Sequence, residues 1–205
     1  MKPMETYDVL REAFIFFNRE LFDNKLSDCL ILLHRHRSAF GYFHADRFAQ
    51  NGSKTTVHEI ALNPSHIRER KPHETFSTLV HEMVHQLQQE HGKPPKNVYH
   101  NKQWAAMMKD VGLFPSDTGK PGGHETGRYV SHYIVKNGRF DLAFDRFQKK
   151  YDMTLFGDVI TASKKGKVKT SKFKFQCPEC GQNAGAKLTA KLLCGECEEA
   201  MTEAV

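Results

Sequence analysis

The chain has 205 residues, 26% charged and 39% hydrophobic, with a net charge of +6 and a sequence pI near 9.0. That length suits one main domain with a small appendage. Glu5, Asp8, Arg11 and Glu12 interrupt the apolar runs near the amino end, so the sequence predicts neither a secretory leader nor a membrane span. The expected location is the cytoplasm, with nucleoid association open to it, and the excess positive charge favours a polyanionic partner.

Taken in order, Tyr7, Leu10, Phe14, Phe17 and Leu21 recur at helical intervals, which predicts an amphipathic helix over residues 4–22 that ends near Asn24. Three runs of strand character follow, at 29–33, 39–44 and 57–62, separated by polar segments such as the one with Asn51-Gly52. They predict a small antiparallel sheet. The third run is either an edge strand, able to hold an extended substrate by backbone hydrogen bonds, or an internal one. Cys29, in an apolar run, reads as a small core residue. His34, Arg35, His36 and Arg37 suit either a phosphate contact or a solvated loop.

The next stretch carries the chemistry. Pro72 sits where a first-turn proline belongs, and Phe76, Leu79, Val80, Met83, Val84 and Leu87 give one apolar face to a helix through residue 91. Beside that face stand His81, Glu82 and His85. A four-residue step stacks two imidazoles on one side of a helix, within reach of one metal ion. HEMVH is therefore the HExxH pattern of a zinc hydrolase, with Glu82 as general base. Twelve histidines make a chance match easier. The pattern nevertheless falls on a helix, where the chemistry needs it.

A hydrolytic zinc takes three protein ligands and leaves one position open. Gly92, Pro94 and Pro95 stop the helix, Asn101 can cap another marked by Trp104, Met107, Met108 and Val111, and Gly112 ends it. His100, at the start of that second helix, is the favoured third ligand. His91 has the metzincin spacing, but Gln88 stands where those enzymes break the helix with glycine. An acidic ligand is the remaining alternative. Tyr99, His132 and Tyr133 are candidate oxyanion donors, against plain packing roles. A Gly- and Pro-rich loop is expected over 115–127 and an aromatic-rich helical segment over 129–151.

Residues 161–174 form a basic linker in which Lys164, Lys165, Lys167, Lys169, Lys172 and Lys174 stand without an acid. It is either a solubilising spacer or a nucleic-acid contact. In the last segment, 175–205, Cys177, Cys180, Cys194 and Cys197 form CxxC, thirteen residues, CxxC. That spacing places four thiolates around one structural zinc, whose binding supplies folding energy to a piece too small for its own core.

HEMVH, then YHNKQW, then a lysine-rich link to CPEC and CGEC, with NRELFDNKL closing the first helix, resembles the SprT-like or Spartan-type family of zinc metalloproteases. The resemblance implies an α+β, gluzincin-like protease domain over residues 1–160 followed by a zinc ribbon. It implies His81, His85 and His100 as ligands of a catalytic Zn2+, Glu82 as the catalytic glutamate, and a second, structural Zn2+ at the four cysteines. It further implies a protein substrate bound or crosslinked to DNA, DNA as activator, and a part in DNA repair. The other class of function is a non-catalytic nucleic-acid or transcription-associated protein with two structural zincs.

Overall fold

The computed structural model describes residues 4–97, 99–151, 155–159 and 172–204. It divides into two compact units, residues 1–161 and 162–205. Lys164, Lys165, Lys167 and Lys169 lie outside the described residues.

In the larger unit, helix α1 (Met4–Phe22) buries Leu10, Phe14, Phe17 and Leu21 of the expected stripe, together with Ala13, while Tyr7 near its start is exposed. Asp23 and Asn24 end it in left-handed conformations, with φ of 55° and 57°. Asn18 pins the return by donating to Leu26 O at 3.0 Å and accepting from Leu26 N at 3.2 Å. Asx side chains serve such helix exits well, because they tolerate positive φ and bond nearby backbone.

Strands β1 (Cys29–Leu33), β2 (Gly41–Ala49) and β3 (Thr56–Leu62) form one sheet in the order β1-β3-β2. The expected antiparallel sheet is corrected: β2 runs antiparallel to β3, but β1 runs parallel to it, with Ile31 opposite Ile60. The third run is thus the middle strand, its residues Ile60, Ala61 and Leu62 fully buried, and among the described residues β1 and β2 are the two edges of the sheet. Cys29 is buried, and burial pushes its thiol up to about 12, as befits a core residue.

A 3-10 turn at Pro64–His66 leads to α2 (Pro72–His91), which lies against the sheet, chiefly β2 and β3. Glu74 caps its first turn by accepting from Lys71 N at 3.0 Å. Helix α3 (Lys102–Asp110) and strand β4 (Leu113–Ser116) come next, then β5 (Ser131–Ile134), paired antiparallel to β4, and α4 (Arg139–Lys150). The stretch expected to be one helix over 129–151 is therefore a strand and a shorter helix. An aromatic cluster joins three helices: Phe147 of α4 lies 5.2 Å from Phe16 and 5.4 Å from Phe17 of α1, and 5.4 Å from Phe76 of α2. Phe17, Phe76 and Phe147 are fully buried, which fixes α2 from behind and leaves its histidine face to the functional side.

The smaller unit holds β6 (Phe173–Gln176), β7 (Asn183–Ala186) and β8 (Thr202–Glu203), with β6 between the other two and antiparallel to both. Lys172 precedes β6 and Lys174 lies in it, both exposed. No helix among the described residues is long and apolar enough to cross a membrane.

Candidate metal centre

Gln88 explains how the chain gathers its third imidazole without breaking α2. Its Nε2 donates to Asn101 Oδ1 at 2.8 Å and to Gln103 Oε1 at 3.2 Å, and Asn101 Oδ1 caps α3 by accepting from Trp104 N at 2.9 Å. The start of α3 is thereby tied to the end of α2, and His100, one residue before the cap, comes back beside His81 and His85. One ring nitrogen of each of the three lies within 4.8 Å of the others. His91 does not join them; its Nε2 meets Lys25 O at 2.9 Å on the surface.

Trp104, itself fully buried, floors the cluster, with ring centroids 5.0, 5.2 and 4.2 Å from His81, His85 and His100. Burial lowers the pKa of all three histidines, that of His85 to about 3, so the rings are neutral and carry lone pairs. Around His81 the neighbouring imidazoles of His132, His85 and His100 push in the same direction. His100 Nδ1 lies 3.2 Å from Gly127 O. A carbonyl only accepts, so that nitrogen holds the proton and Nε2 is left with its lone pair. Three neutral, convergent imidazoles are compatible with zinc.

Glu82 is buried beside this set, and burial pushes its carboxyl up to about 8. Strand β2 comes close to it at Gly41. A Cβ at that position would stand 2.9 Å from Ala61 O, 2.9 Å from Thr78 Cγ2 and 3.3 Å from Glu82 Oε1. Gly41→Ala is accordingly expected to destabilise the chain by about 1–3 kcal/mol, the range for overpacking, and to lower any Glu82-dependent turnover. Thermal melting read beside activity checks it: an unchanged melting point and rate would mean that the strand gives way freely.

The three oxyanion candidates fare differently. His132 has both ring nitrogens engaged, Nδ1 at 3.0 Å from His81 Nδ1 and Nε2 at 2.9 Å from Ser77 Oγ. Tyr133 stacks on Phe114 across the β4–β5 pair, 5.1 Å between centroids. Tyr99 stands exposed one residue before His100. In the His34–Arg37 loop, Arg35 is ion-paired with Asp158 and His36 Nδ1 accepts from Ser38 N and Ala39 N, so part of that run serves the loop itself. The sequence named neither Gly41 nor Gln88 as a positioning residue; a lone glycine opening an aromatic strand was the available signal for the first.

In the smaller unit the sulfurs of Cys177, Cys180, Cys194 and Cys197 lie within 4.8 Å of one another. The two knuckles match: Gly181 N donates to Cys177 O at 3.0 Å and Glu198 N to Cys194 O at 2.9 Å. Both fourth-following residues are left-handed, Gly181 at φ 73° and Glu198 at 56°. Backbone N–H groups of Glu196 and Cys197 lower the Cys194 thiol to about 7, which favours the thiolate a metal needs. Four thiols in a closed set are compatible with a structural zinc.

Convergent imidazoles and a carboxylate on an HExxH helix are the arrangement of a zinc metallopeptidase-type domain. A family model described as the SprT-like family matches residues 10–120, more than half of the chain, and the chain belongs to that family. The match runs from α1 through β4, while β5, α4 and the cysteine unit lie beyond it. An uncharacterized protein in the mucB 3' region of Salmonella typhimurium is 48% identical over 56 residues, 27% of this chain and 76% of that protein. No solved structure matches the chain.

Proposed function

We propose that the chain is a zinc-dependent endopeptidase, with His81, His85 and His100 as ligands and Glu82 as general base, acting on proteins bound or crosslinked to DNA. The observation that carries the reading is the buried carboxylate of Glu82 beside three neutral, convergent imidazoles, since a purely structural site has no use for a base. Zinc held there would supply Lewis acidity toward a peptide carbonyl and acidify an attacking water. Glu82 accepts the proton of that water at its carboxylate and returns it to the leaving amine. Burial raises the proton affinity of the Glu82 carboxyl, and a cation held by the three imidazoles would favour its ionised form, the form that accepts a proton. The open edge of β2, next to Glu82 at Gly41, offers backbone groups to an extended substrate. Trp104 and the helices behind it keep water from the far side of the imidazoles.

Support for DNA comes from charge. The net charge is +6, and six lysines fall within residues 161–174 without an acid. A polyanion would be held there largely by counterion release, hence with strong salt dependence. Lys172 and Lys174, the two of these six among the described residues, stand exposed at the start of β6.

The test uses the zinc-loaded chain with a DNA-binding protein as substrate, offered free or together with single- or double-stranded DNA, and follows cleavage by gel. Cleavage that requires DNA, fades as salt rises and stops on chelation is the expected result. Cleavage indifferent to DNA would remove the nucleic-acid half of the proposal. DNA binding without cleavage under any condition would favour the binding-protein class instead.

A further inference from the structure

His132, on β5, is closed off on both ring nitrogens, 3.0 Å from His81 Nδ1 and 2.9 Å from Ser77 Oγ, and the proposed hydrolysis gives it no task. Two hydrogen-bond polarities are open to this chain, with opposite consequences. If Ser77 donated to His132 Nε2, His132 would carry its proton on Nδ1 and direct it at His81 Nδ1. His81 would then hold its own proton on Nε2, and its lone pair would be used inside the protein. In the reverse polarity His132 donates from Nε2 to Ser77 and accepts at Nδ1 from His81. That leaves His81 Nε2 with a lone pair for a metal.

Ser77 decides between them. Its hydroxyl has one hydrogen, and Oγ lies 2.9 Å from the carbonyl of Glu74, which can only accept. Arg70 Nη2 at 2.7 Å and Thr78 Oγ1 at 3.2 Å reach the same carbonyl. Ser77 Oγ at 2.9 Å with no hydrogen between would nevertheless set two lone pairs face to face, so the hydrogen lies on that contact and Oγ receives from His132. Ser77 is 2% exposed, so water is not at hand to take over either contact.

We propose that the Glu74 carbonyl, Ser77 and His132 form a positioning relay that holds His81 as the Nδ1–H tautomer and presents Nε2 to the metal. Ligating histidines are commonly fixed in this way through their second nitrogen. His100 is fixed by the Gly127 carbonyl at 3.2 Å. Two of the three imidazoles are therefore oriented by backbone oxygens, one directly and one through two side chains. His132 reaches His81 from 51 positions along the chain, on a strand beyond the family match. The purpose of the relay rests on the metal reading above; the tautomer does not.

The test is made on the full-length chain with 15N-labelled histidine. After chelation, long-range 15N–1H spectra report the His81 tautomer. Zinc is then added against a competing chelator, and binding is read on the His81 and His85 ring signals, so the four-cysteine site does not contribute. The expected result is Nδ1–H at His81 and a zinc affinity lowered about 10–100-fold in His132→Leu. His132→Gln, whose amide can accept from His81 and donate to Ser77, should restore most of it. Ser77→Ala should lose affinity in the same direction, and it keeps the test decisive if His132→Leu does not fold. A proton on His81 Nε2 in the wild type, or wild-type affinity in both His132→Leu and Ser77→Ala, overturns the relay. If the wild type takes up no zinc at His81, the metal reading fails, and the relay is then judged by the tautomer alone.

Discussion

Glu82→Gln is expected to lower peptide hydrolysis by about 10²–10⁴-fold, the range for losing a general base, while zinc at His81, His85 and His100 is retained. The amide keeps the shape of the carboxyl and cannot take a proton from water. The same substitution should raise the stability of chelator-treated protein at alkaline pH. Burial lifts the Glu82 pKa from 4.5 to about 8, so between those values the folded chain holds a proton that the unfolded chain has released. Stability from this group is complete below pH 4.5 and is lost as pH rises to 8. The loss is on the order of 4 kcal/mol at pH 8, from 1.36 kcal/mol per pKa unit. Glutamine has no such loss, so the variant should melt higher than wild type at pH 8, by about 10 °C for a chain of this size. Near pH 5 the gap should close.

The histidines set the opposite limit. Burial drives His85 and His132 down to about 3, so the unfolded chain binds protons that the folded one refuses as pH falls below 6.5. Wild type and variant share that acid loss. A thermal melt across pH 4–9 separates the two effects, and a gap that does not depend on pH would remove burial of an ionisable Glu82 from the account.

What could be read from the sequence was what lies close in sequence. The four-residue step from His81 to His85, the Phe17 and Leu21 stripe of α1 and the two CxxC knuckles each depend on a few neighbouring residues and a fixed period. The sheet order was not legible, because pairing β1 with β3 joins segments on either side of β2, and a strand pattern does not say which neighbour it takes. Ser131–Ile134 reads as helix in the sequence because its aromatic surroundings suit either state, and only the partner strand β4 decides. The supports of the candidate metal site were hidden for the same reason. His132 meets His81 across 51 positions, and Gly127 meets His100 across 27. Gln88 is the instructive residue: it was legible as the absence of a helix-breaking glycine, but its positive role, clasping Asn101 and Gln103, needs the fold.

Cys194→Ser is expected to unfold the carboxyl-terminal unit and leave the larger unit standing. Among the described residues of that unit the buried hydrophobic side chains are Phe175, Cys177 and Cys194, and two of these are candidate metal ligands themselves. Strands of four, four and two residues cannot hold together on so little apolar area. A structural zinc contributes about 10–16 kcal/mol to sites of this kind, which is more than such a sheet can supply otherwise. Serine offers a hydroxyl that stays protonated where Cys194 is poised near 7, so the fourth ligand is lost and the knuckle of Glu196 and Cys197 has nothing to hold. The larger unit carries its own reporter, since Trp104 is the single tryptophan and sits fully buried beneath the three histidines. The expected result is collapse of amide dispersion over Phe173–Gln176 and Asn183–Ala186 with Trp104 emission unchanged. Dispersion that survives in the variant would mean that the strands, rather than the metal, hold this unit together. A shifted Trp104 signal would mean that the larger unit depends on it.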